Sequence, residues 1–140
     1  MRVAGIVLLA GVIGAAAALT TSRPAAQAKG GASAAPLPDY VVTEVSTSDY
    51  DTVKVRVKNQ GVITAGPCYM AITIKTTDGK RKVFSPKVNG LPPGQETEVS
   101  AKTGLNLIQA DYEALVDRSN TVQESDEGNN TLKGKFGGKP

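Results

Sequence analysis

The sequence has no histidine, no tryptophan and a single cysteine, and aromatic residues fill only 4% of its positions. Without histidine the chain lacks the commonest general base and metal ligand at neutral pH. With Cys68 alone it can close no internal disulfide, and the usual nucleophile–base pairs cannot be assembled. Four tyrosines and two phenylalanines leave few rings on which a sugar could stack. Glu124 with Glu127 offers a carboxylate pair of the kind used on glycosidic bonds, but little else supports catalysis, and an enzyme is not expected. An amphipathic helical stretch of three turns is also missing, as is any internal repeat.

The first residues describe an address. Arg2 precedes an uncharged run of apolar and small residues from Val3 to Leu19, and Ala26-Gln27-Ala28 follows. This is the order of a secretory signal peptide, with small residues where a signal peptidase reads them. The apolar run falls just short of the roughly 18 residues of a spanning helix and is diluted by alanine and glycine. Cleavage after Ala28 is therefore expected over a retained anchor, leaving no membrane span and a secreted or periplasmic/extracellular protein. Loss of Arg2 and Arg23 leaves 14 basic residues against 13 acidic, a net charge near +1 that draws polyanions only weakly. Residues 29–38, KGGASAAPLP, read as a flexible leader.

From Asp39 the pattern changes to short bursts of period-2 alternation, the mark of half-buried strands. Val53, Val55 and Val57 alternate with Lys54, Arg56 and Lys58. Cys68, Met70, Ile72 and Ile74 alternate with Tyr69, Ala71, Thr73 and Lys75, and Tyr112, Ala114 and Val116 repeat the pattern. Val41, Val45, Val99 and Leu132 suit further strands. Asp78-Gly79 reads as a two-residue hairpin turn with positive φ at both positions, and Pro93-Gly94 as a type II turn. Asn59-Gln60-Gly61, Asn89-Gly90 and Gly128 mark other corners. About seven short strands with turns every ten or so residues predict an all-β fold, an antiparallel β-sandwich spanning residues 39–137.

Three groups of residues invite a functional reading. Asp117, Asn120, Glu124, Asp126, Glu127, Asn129 and Asn130 crowd the chain before its last apolar residues. Calcium takes six to eight oxygens from such side chains, although the spacing is not that of an EF-hand loop. The competing and favoured reading is that the Asn and Asp side chains satisfy turn backbone groups while the glutamates are solvated. No other cofactor is expected. Lys75, Lys80, Arg81, Lys82 and Lys87 surround Asp78-Gly79 and could attract a polyanion. No run of aromatic residues interleaves with them, as a single-strand nucleic-acid binder would want, so edge protection against aggregation is preferred. Cys68 shares a face with Met70, Ile72 and Ile74, which argues for burial over an intermolecular disulfide.

Taken in order, these residues resemble the bacterial cell-adhesion-related domain CARDB, an immunoglobulin-like sandwich. The resemblance runs from Asp39-Tyr40-Val41-Val42 through Val57-Lys58-Asn59-Gln60-Gly61, Ala65-Gly66-Pro67-Cys68 and Leu91-Pro92-Pro93-Gly94. It is closest at Val116-Asp117 through Asn120, then Glu124, Asp126, Glu127, Asn129 and Asn130. It covers about 98 of 140 residues, from Asp39 to Phe136. The family usually carries a larger apolar residue where this chain has Cys68. The resemblance implies a secreted, non-enzymatic module for adhesion or protein contact, with no catalytic residue to carry over. The leading expectation is thus a binding module for a protein or cell-envelope partner. A calcium-stabilised extracellular structural module, and a polyanion-binding protein acting through the Lys75–Lys87 hairpin, are the alternatives.

Overall fold

The computed structural model describes residues 35–137; the expected signal peptide and most of the leader lie outside them. Nine strands form in chain order: β1 (Tyr40–Thr47), β2 (Thr52–Asn59), β3 (Cys68–Tyr69), β4 (Ala71–Lys75), β5 (Arg81–Phe84), β6 (Lys87–Val88), β7 (Glu96–Lys102), β8 (Asp111–Leu115) and β9 (Thr131–Lys135). No helix occurs among the described residues. Every strand pairing is antiparallel, in the orders β1-β2-β7, β3-β6 and β5-β4-β8-β9.

Nine strands become the expected seven once two interruptions are understood. Cys68 lies opposite Val88 and Ile72 opposite Phe84, so β3/β6 and β4/β5 share one register. Between them the register sets Met70 against Pro86, which has no N–H to give the ladder. Only the Met70 N–H to Pro86 carbonyl bond is made there, at 3.1 Å. The hairpin is continuous in direction and broken only in its hydrogen bonds.

Alternation then builds the core. Val53, Val55 and Val57 of β2 are fully buried, as are Met70, Ile72 and Ile74 from the facing sheet. Cys68 joins them at 3% exposure, and burial pushes its thiol up to about 11. On β1 the register shifts between Val42 and Glu44. This bulge moves the inward positions from Tyr40 and Val42 to Val45, which packs on the same cluster.

One turn differs from expectation. Thr76 N–H donates to Lys80 O at 2.9 Å and Gly79 N–H to Thr76 O at 3.0 Å, so the hairpin closes over three residues. Positive φ is confined to Gly79, at 89°. Asp78 is held instead by the Thr76 hydroxyl, and one glycine in the left-handed region is enough for a three-residue loop. The Pro93-Gly94 turn closes as expected, with Gln95 N–H on Pro92 O at 3.1 Å.

Candidate functional site

The acid-rich segment between β8 and β9 folds onto the start of β1. Asp117 is 4% exposed and adopts φ 47° at the end of β8. Its Oδ1 accepts from Thr121 N–H at 3.0 Å and the Thr121 hydroxyl at 2.8 Å, and its Oδ2 from Val122 N–H at 2.7 Å. Aspartate is among the residues that tolerate this backbone, and here its carboxylate closes the turn it begins. Asn120, also at positive φ, reaches Glu127 Oε2 at 2.7 Å with its amide turned to donate. Asp126 Oδ1 accepts from Gly128 N–H at 2.8 Å.

Glu124 is the pivot of the segment. Its Oε2 accepts the Tyr40 N–H, its Oε1 accepts from Asn130 Nδ2 at 3.0 Å, and its own N–H donates to Glu127 Oε1 at 3.0 Å. It is 6% exposed, and burial raises its carboxyl to about 7. The Tyr40 and Asn130 hydrogen bonds pull down against that, while the Glu127 and Asp117 charges add to it.

Asp39 takes up the rest. Its Oδ1 accepts from Asn129 Nδ2 at 3.0 Å, and its Oδ2 from Gln60 Nε2 at 3.1 Å and the Ser125 hydroxyl at 3.2 Å. Beside it Asn59 is fully buried. Asn59 Oδ1 accepts from Asp39 N–H at 3.1 Å and Gly61 N–H at 3.0 Å, and its Nδ2 donates to Ile63 O and Leu91 O, each at 2.8 Å. All four hydrogen-bonding positions of the amide are used. Gly61 is held just as tightly, since an added Cβ would come within 2.5 Å of the Pro38 carbonyl carbon.

Asp39 and Asn59 were not singled out from sequence as site residues. A signal for Asn59 was there: it continues the inward parity of Val53, Val55 and Val57, so a polar side chain was due in the core. Nothing local pointed to Asp39, whose partner Asn129 is 90 positions away.

The seven candidate calcium ligands are therefore in one stretch of structure, linked to one another and to backbone N–H groups by hydrogen bonds. Among the described residues no three acidic or cysteine side chains are grouped to hold a metal. Asp117, Glu124, Asp126 and Glu127 each accept hydrogen bonds from backbone N–H groups. The Oδ1 atoms of Asn129 and Asn130 are buried without a partner, while their amide nitrogens donate to Asp39 and Glu124. As arranged, the carboxylates of this donor set are not grouped around one position among the described residues. Nor does it suit catalysis on a glycoside: Glu124 is buried, and its carboxylate is spent on Tyr40 and Asn130. A cleft of about 500 Å³, lined by Thr47, Asp49, Tyr50, Leu107 and Ile108, touches none of these residues.

The basic residues divide between faces. Lys80 pairs with Asp78 at 3.0 Å, and Lys82 donates to Thr103 O at 3.2 Å with its ammonium 5.5 Å from the Phe84 ring centre. Lys75 and Arg81 lie opposite each other in the β4/β5 ladder, and Lys87 lies opposite Tyr69 in the β3/β6 ladder.

This closing segment, tied to the strand opening at Asp39-Tyr40, coincides with a known domain pattern: the CARDB profile matches residues 37–134. The chain belongs to the CARDB family. Of solved structures, a CARDB domain from Pyrococcus furiosus, determined in complex with di-metal ions, superposes with a TM-score of 0.53 at 24% identity, covering 76% of this chain and 96% of that one. A domain of a protein described as cell-surface, from Methanosarcina acetivorans, gives 0.56 at 22% identity, covering 74% and 93%. Both show the fold. No curated protein matches the chain in sequence. CARDB is a cell-adhesion-related family, and membership is in keeping with a non-enzymatic module of extracellular type.

Proposed function

We propose that the chain is an exported, non-enzymatic binding module that presents its sandwich surface to a protein or cell-envelope partner. One observation carries this reading: the carboxylates of the acid-rich segment, buried at Asp117 and Glu124 and exposed at Asp126 and Glu127, all accept backbone N–H groups and fix local geometry. Glu124 and Asp39 tie residues 124–130 to the start of β1, which supports a structural role for this segment. What remains for function is the outer surface, where Tyr69 is 55% exposed and Val62 69%.

The test is capture by the immobilised full chain of components from envelope extracts of the source cell. Saturable capture, competed by soluble chain and lost when the extract is treated with trypsin, supports a protein partner. Loss on polysaccharide digestion instead makes the partner an envelope polymer. Substrate turnover by the purified chain that disappears in Glu124→Gln sinks the reading.

A calcium-stabilised module is the second reading, suggested by the di-metal ions of the Pyrococcus furiosus domain and by the unpartnered Oδ1 atoms of Asn129 and Asn130. It requires Glu124 and Glu127 to turn acceptor sites left over from the N–H groups they now hold towards a common cation. The geometry favours the first reading.

A further inference from the structure

The β4/β5 hairpin and its β3/β6 continuation carry an outward face unlike the rest of the surface. Register sets Lys75 opposite Arg81, Thr73 opposite Val83 and Tyr69 opposite Lys87. Arg118 is adjacent: its N–H donates to Tyr69 O at 2.9 Å and its Nη1 to the Ser85 hydroxyl at 2.6 Å. Among the described residues Lys75, Arg81, Lys87 and Arg118 form no ion pair.

The neighbouring acids are engaged elsewhere. Asp111 and Glu113 on β8 face Lys75 and Thr73 on one side, but their carboxylates pair with Lys135 at 3.8 Å and Lys133 at 3.4 Å on the other. The outer face of β2 and β7 shows the contrast. There Lys54 meets Glu98 at 3.2 Å, and Arg56 reaches Glu44 at 3.4 Å and Glu96 at 3.9 Å. Like charges directly across a ladder are unfavourable, so the Lys75–Arg81 row has a standing preference for an external anion. A shallow cleft of about 310 Å³ opens beside that row, between Thr73, Lys75, Arg81, Asp111, Glu113 and Lys133.

We infer that this face docks an extended acidic segment of a partner protein, laid along β5 and its continuation. The inference rests on the binding-module reading and names the surface and the partner's chemistry. Three features favour a polypeptide. β5 is an edge strand, so its outer backbone groups are available to another backbone. Tyr69, 55% exposed, and Val83, 46% exposed, supply ring and apolar contacts between the cations, a composition typical of protein interfaces. From the Arg81 row to the Lys87 row the face runs six residues, about 20 Å, the length of a six- to seven-residue extended segment. Protection of an edge accounts for lysines, but not for an exposed tyrosine beside them.

The probe is a fluorescein-labelled octapeptide of alternating Glu and Val, titrated with the full chain at low and at about 0.5 M salt. Binding is expected. Lys75→Glu with Arg81→Glu weakens it by about tenfold or more, and Tyr69→Ala by about fivefold at both salt concentrations. Arg56→Glu with Lys102→Glu, at exposed, ion-paired cations on the outer face of β2 and β7, changes it by less than about twofold. All these positions are exposed, and unchanged thermal midpoints confirm that the variants fold. No binding by the wild type overturns the inference. So does binding that ignores Tyr69→Ala and is displaced equally well by dextran sulfate, which marks a general polyanion face. If the peptide fails while trypsin-sensitive capture persists, the docking face falls and the binding-module reading stands.

Discussion

The segment between β8 and β9 ties its carboxylates to the protein's own N–H groups, whereas the outer face of β4 and β5 turns its cations out. In the first, Asp117, Glu124 and their neighbours each meet N–H donors; in the second, Lys75, Arg81 and Lys87 meet solvent. Similar densities of charged residues in the sequence thus have different physical roles. A short acid can reach backbone N–H groups and be buried with them. A long cation on a strand face finds no such partner, and its cost of burial keeps it outside.

The sharpest way to break this contrast is at the buried end. Asn59→Leu removes an amide that satisfies four backbone groups. It should cost about 3–5 kcal/mol in urea unfolding, because the orphaned groups stay buried.

Next comes pH. Glu124, raised to about 7 in the fold from an ordinary 4.5, binds its proton more tightly folded than unfolded. Its stabilising contribution is therefore fully present below pH 4.5 and lost as pH rises through 7. Unfolding free energy should fall by on the order of 3 kcal/mol between pH 5 and 8. Glu124→Gln should flatten that slope, and an unchanged slope would remove Glu124 from the account. Protonation also gives Asn130, whose Oδ1 has no partner, a neighbouring O–H to accept if its amide reorients.

Asp117→Ala should cost about 2–3 kcal/mol, combining three lost hydrogen bonds with an alanine at positive φ. Calcium at about 2 mM, enough to load a weak extracellular-type site, should move the thermal midpoint by less than about 1 °C relative to EDTA. A clear rise, lost in Asp126→Asn with Glu127→Gln, would instead make calcium part of the architecture. The smallest effect is expected on the open face, where Lys75→Glu with Arg81→Glu should leave stability within about 0.5 kcal/mol.

The strands were legible because their signals are local. Val53-Val55-Val57 and Cys68-Met70-Ile72-Ile74 show their inward parity within a single strand, and the core uses them as read. The break at Met70 was less visible, because Pro86 acts on it from across the hairpin. The hairpin at Asp78-Gly79 was legible as a turn but not as a three-residue loop, since the Thr76 hydroxyl decides where Asp78 sits. The acid-rich segment was legible as a cluster. Its division into inward and outward members was not.

The amino-acid sequence by itself determined an all-β chain, its turns, its inward residues and its membership of a family of sandwiches. The first three depend on periodicity or on backbone preference within a few residues; the family is carried by motifs matched in order along the chain. Only the tertiary structure decided that Asp39 and Asn59 anchor the closing segment, that Glu124 is buried against Tyr40, and that the five basic residues part company between faces. Those outcomes depend on contacts such as Tyr40–Glu124 and Asp39–Asn129, 84 and 90 positions apart. A buried charge accepts its place only where such distant partners satisfy it.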